Sequence, residues 1–140
     1  VSETDRPMPV LPVSYREPSF LPLTVATASG HPALHPPATR ADAAAAECWT
    51  ALLAGCDTAG RSLPGRLREL ADATSTYAGA AWWNGDGACH RGRIDRARAR
   101  IEEAVADRDG ADFAEAFVGF DQAVATALVR VNNRMRSPAR

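Results

Sequence analysis

Apolar side chains recur every three or four residues through the last third of the chain. Phe113, Phe117, Phe120, Val124, Leu128, Val131 and Met135 alternate steps of four and three, the spacing that lines one side of an α-helix. The pattern predicts a helix from about Asp112 to Met135. Its seam resembles that of a coiled coil, so Phe113, Phe117, Phe120, Val124, Leu128 and Val131 are expected to join two copies of the chain. Asp109, Asp112 and Glu115 at its start and Arg130, Arg134 and Arg136 at its end complement the helix dipole. A thinner stripe, Ile94, Ala97, Ile101, Ala104 and Val105, predicts a helix over about Cys89–Arg108, broken by Gly110. Leu63, Leu67, Leu70, Thr74, Tyr77 and Ala81 predict another, started by Ser62 with Pro64 in its first turn and running into Trp82 and Trp83. The alanine-rich stretch RADAAAAECWTALLAGC predicts a helix capped by Thr39, with Cys48, Trp49, Leu52, Leu53 and Cys56 on one broad face.

Four such segments with short connections predict an all-α fold, an antiparallel four-helix bundle over residues 39–136. The first 38 residues differ, holding eight of the ten prolines. Within them Pro22 demotes the apolar phrase FLPLTVA to an edge strand or an extended arm. Residues 1–38 are therefore expected to form a proline-rich extended arm, partly disordered or docked through Tyr15, Phe20, Leu21, Leu23 and Val25. Residues 137–140 are expected to be a disordered tail.

Composition narrows the class. At 140 residues the chain is long enough for one real core. A net charge of −1 argues against holding nucleic acid by bulk charge. All 16 basic residues are arginine, which with the alanine-rich helices fits a high-GC, actinobacterial-like genome. Cys48, Cys56 and Cys89 form no disulfide framework, the start VSETDRPMPV lacks a signal peptide's apolar core, and prolines interrupt the uncharged stretch 18–39. A cytoplasmic protein with no membrane span is expected.

The residues that bear chemistry gather after the tryptophan pair. Trp82 and Trp83 project roughly 100° apart on a helix, so one is expected in the core and the other at a rim or groove. Cys89 and His90 sit at a helix start beside Arg91, surroundings that depress a thiol pKa. No acid or amide is placed to orient His90, so no catalytic residue is assigned. His31 and His35 lie in the arm, and no CxxC, HExxH or Cys/His quartet occurs. No metal and no cofactor are expected. The arginines are more telling. Arg91, Arg93, Arg96, Arg98 and Arg100 crowd the first half of their helix and Glu102, Glu103 and Asp107 the second, the reverse of what the helix dipole favours. Such a broken local rule points to function or compensation. Either an acidic partner or an anionic ligand meets Arg91, Arg93, Arg96 and Arg100, or the arginines pair locally, as Arg91–Asp95, Arg98–Glu102 and Arg100–Glu103.

Trp83-Asn84-Gly85, between two helical stretches, resembles the Trp-x-Gly turn of the WXG100 proteins. That resemblance implies a helical hairpin exported by type VII secretion, with Thr39–Arg136 as its two arms. The expectation drawn from the residues is a non-enzymatic helical protein–protein interaction or regulatory adaptor module that forms homodimers. The alternatives are a small helical enzyme or small-molecule-binding protein with its site at Trp82, Trp83, Cys89, His90, Arg91 and Arg93, and a WXG100-like secretion hairpin.

Overall fold

A computed structural model describes residues 19–56 and 60–136. They form six helices and no strand: α1 (Pro22–Ala28), α2 (His35–Leu53), α3 (Leu63–Ala78), α4 (Ala80–Asn84), α5 (Ala88–Ala106) and α6 (Gly110–Arg136). The all-α expectation holds for these residues. Helix α5 lies along α6, α2 along α3, and α1 packs on both α6 and α2.

The arm is where the structure departs most from expectation. Pro22–Ala28 is helical, neither strand nor extended chain, and α2 starts at His35 rather than Thr39. Pro22 and Pro36 both fall in first turns, where the missing N–H would have had no partner and the fixed φ suits the helix. Thr39, expected as a cap, donates its hydroxyl to the Pro36 carbonyl at 3.0 Å from inside α2. Residues 1–18 and 137–140 of the expected arm and tail lie outside the described residues.

Helix α1 has no side-chain cap of its own. Two distant carboxylates supply one. Asp42 Oδ1 on α2 accepts from Phe20 N at 2.7 Å and Leu21 N at 2.9 Å. Asp121 on α6 accepts from Leu23 N at 3.1 Å and Thr24 N at 2.8 Å, and the Thr24 hydroxyl donates back to the Asp121 carbonyl at 3.3 Å. The free N–H groups of a helix start carry partial positive charge, so half-buried Asp42 and buried Asp121 are well matched there. Docked this way, α1 sends Phe20 among Trp49, Phe113 and Phe117, with ring centroids 5.5–5.7 Å apart.

The α6 seam forms the centre of the core. Phe113, Phe117, Phe120, Val124, Leu128 and Val131 are at most 2 % exposed, beside Ile94 and Ile101 of α5 and Leu67 and Leu70 of α3. In α2 the buried face is the run of small residues Ala38, Ala41, Ala45 and Cys48; Leu53 and Cys56 are exposed, outside that face. Between α5 and α6 the chain turns through Arg108 at φ 57°, with Asp109 N donating to the Ala104 carbonyl at 3.0 Å. Asp109 then caps α6, accepting from Asp112 N at 3.0 Å. Gly110 opens α6 instead of merely ending α5.

Candidate functional site

The tryptophans occupy a helix of their own. Gly79, at φ 90°, separates α3 from α4, a backbone conformation that a side-chained residue rarely adopts. Both rings are buried, Trp82 at 7 % and Trp83 at 8 % exposure. The expected division into one core ring and one rim ring is therefore wrong. A single exposed outer face was assumed, whereas the turn after α4 folds back and covers it. Gly87 comes so close that a Cβ there would stand 2.4 Å from the Trp82 ring. His90 stacks on the same indole, with centroids 5.8 Å apart and planes 13° apart.

Burial, then the fields of Arg130 and Arg93, hold the His90 imidazole below its ordinary pKa. The folded chain thus binds this proton less tightly than the unfolded chain does. Stability is expected to be full above the ordinary imidazole pKa of about 6.5 and to decline as pH falls through it. Chemical denaturation of wild type and His90→Gln between about pH 5 and 8 checks this: the decline should shrink in the variant, and equal pH profiles would contradict it. Among the described residues, His90 Nδ1 and Arg91 Nε are buried without hydrogen-bond partners. Cys89 is exposed and in no disulfide, whereas burial pushes the Cys48 thiol up to about 11. Nothing gathers around Cys89–His90 to orient a nucleophile, and among the described residues no three His, Cys, Asp or Glu side chains cluster as metal ligands would.

The arginines divide. Arg100 reaches across to the start of α6, 2.8 Å from Asp112 and 3.8 Å from Glu115. Arg98 pairs weakly with Asp95 at 3.6 Å. The expected local pairs Arg91–Asp95, Arg98–Glu102 and Arg100–Glu103 do not form among the described residues: Arg98 turns to Asp95 instead, and Arg100 is drawn to Asp112 and Glu115 where the start of α6 meets α5. Arg93 and Arg96 are exposed and make no ion pair among the described residues. With Arg100 they border an open groove of about 690 Å³ between α5 and α6, floored by Ala97, Ala116, Gly119 and Ala123 and flanked by Gln122 and Thr126. A Cβ added at Gly119 meets nothing within 4 Å.

That groove continues over α6 toward α1. Gln122 also lines a second groove with Leu23 and Val118, and a third with Leu23, Ala125, Val129 and Arg130. Leu23, Val118 and Val129 are 49, 57 and 44 % exposed, three of the five large apolar side chains left in solvent among the described residues. Val118, Gln122, Ala125 and Val129 step by four, three and four along α6, a second stripe beside the buried seam. Sequence reading missed it because Gln122 and small Ala125 interrupt its apolar character.

No protein family, curated protein or solved structure matches the chain. The likeness of Trp83-Asn84-Gly85 to the WXG100 turn therefore rests on those residues alone. The two arms it implies are each divided, the first into α2, α3 and α4 and the second into α5 and α6. Among the described residues no helix is long and apolar enough to cross a membrane.

Proposed function

We propose that the chain is a non-enzymatic helical interaction module. In this reading α2, α3, α5 and α6 make an antiparallel bundle, trimmed by α1 and α4, that offers its α1–α6–α5 face to a protein partner. One observation carries it: the exposed apolar side chains Leu23, Val118 and Val129 on α1 and α6 lie close to Arg93 and Arg96, which make no ion pair among the described residues. Apolar area with an arginine border is the composition of a protein-binding surface. The six seam residues first expected to join two copies are buried within one chain, so in this reading any self-association uses another surface.

A photo-crosslinking residue placed at Gln122 in the native host tests the reading. It should trap a discrete protein, whereas one placed at exposed Asp72 on α3 should not. Equal trapping at both positions, or none at Gln122, would contradict the proposal.

A second reading is favoured by the buried, unpartnered His90 Nδ1 and Arg91 Nε beside Trp82: a small anionic ligand bound at the α4–α5 corner. A rise in thermal midpoint with phosphorylated metabolites, lost in Arg91→Ala, supports it; an unchanged midpoint across the panel removes it.

A further inference from the structure

The α1–α6–α5 face has a shape and charge that narrow its partner. We propose that it seats an amphipathic helix of another protein, with the apolar side of that helix on Val118, Val129 and Leu23 and a row of its carboxylates on Arg93 and Arg96. The assignment rests on the interaction-module reading and specifies the partner class.

The backbone argument favours a helix. Among the described residues the face is walled only by helices and offers no strand edge. An extended peptide laid on its apolar floor would lose water from N–H and C=O groups that find no partners, whereas a helix brings its backbone already satisfied. The stripe from Val118 to Val129 covers 12 residues of α6, about 16 Å end to end at the helical rise, or three turns of a docked helix. The floor is low where it needs to be, because Ala116, Gly119 and Ala123 leave room for close approach between the rims.

Charge selects the rim of the partner. Arg100 is already committed to Asp112 and Glu115, which leaves Arg93 and Arg96 as the α5 arginines of the groove. These stand three residues apart on α5, so they face carboxylates at the i,i+3 or i,i+4 spacing of a helix running alongside. The same face of a second copy supplies no such acids among the described residues. The charged residues lining the three grooves are Arg93, Arg96, Arg100, Arg130 and Asp121, and Asp121 is occupied by the backbone of α1. Two such faces brought together with their α6 helices antiparallel would set one arginine row against the other, a like-charge arrangement that disfavours pairing. A bilayer fits less well, because its flat surface cannot reach a floor recessed between α5 and α1.

The test uses the full chain and a designed, fluorescently labelled helical peptide with leucines at heptad a and d positions and glutamates at e and g. Its control carries lysines in place of the glutamates. Fluorescence anisotropy should show saturable binding of the glutamate peptide that weakens as salt rises, with the lysine peptide at least about tenfold weaker. The double variant Arg93→Glu/Arg96→Glu, both positions being exposed, should exchange the two preferences, a readout that a merely unfolded protein does not give. Val118→Asp should weaken both peptides. Equal affinity for the two peptides, no binding of either, or arginine-dependent binding to phosphatidylcholine–phosphatidylserine vesicles without peptide binding overturns the assignment. So does light scattering that shows a dimer dispersed by Val118→Asp. If crosslinks from Gln122 persist while the glutamate peptide gains nothing over the lysine peptide, the interaction face stands and the acidic helix falls; if both fail, both fall.

Discussion

Phe117→Ala is expected to lower the unfolding free energy by about 3–5 kcal/mol. The ring is 1 % exposed and lies 5.0 Å from Phe113, 5.5 Å from Phe20 and 5.9 Å from Phe120 by centroid. Truncation removes the transfer free energy of a whole phenyl group and three ring contacts. It also leaves a hole where α1 meets α6, and the neighbouring rings cannot collapse into it without undocking Phe20. Phe117→Leu keeps most of the volume and should cost about 1–2 kcal/mol. Urea denaturation of the three proteins measures both. A loss below about 1 kcal/mol for the alanine variant would mean that Phe117 is not part of this core.

Asp121→Ala should also be damaging, by about 2–4 kcal/mol. A buried donor such as the Thr24 amide stranded without an acceptor costs about 1–3 kcal/mol, and the part-buried Leu23 amide loses its bond as well. The carboxylate, 4 % exposed, accepts from the Leu23 and Thr24 amides. Its loss leaves the start of α1 uncapped inside the protein. Asp42→Ala removes the matching pair of bonds to Phe20 and Leu21 at a half-buried position and should cost less, about 1–2 kcal/mol. Because both acids hold the same short helix, the double variant should lose less than the sum of the single losses. Denaturation gives the energies, and amide exchange at Leu23 and Thr24 locates them. Undiminished protection of those two amides in Asp121→Ala would contradict the remote-cap account.

The same two residues show what was legible in the sequence. Phe117 belongs to a seam whose step of four and three names the helix, its buried side and nearly its ends, because α6 is built from local periodicity and local charges. Its destination was not legible: an a/d seam looks the same whether a second copy covers it or the rest of its own chain does. Helix α1 was invisible for a related reason. Its caps come from residues about 20 and nearly 100 positions later, and Pro22, read as a strand breaker, serves as a helix-starting residue. The tryptophan pair misled because the 100° rule assumes a continuous helix with one outer face, whereas Gly79 cuts the helix and Gly87 lets the next turn lie on Trp82. The arginine row was visible as a dipole inversion. That Arg100 pairs with Asp112 while Arg93 and Arg96 pair with no acid among the described residues depends on how α5 and α6 meet, which no local spacing reveals.

If Arg93, Arg96 and the α6 stripe form one docking face, amide chemical-shift mapping of the ¹⁵N-labelled chain during titration with the glutamate-flanked helical peptide should reveal it. Shifts are expected to concentrate at Arg93, Arg96, Val118, Gln122, Ala125 and Val129, with Leu23 at the margin. Shifts centred instead on Trp82, His90 and Arg91, or spread evenly without saturation, would contradict it.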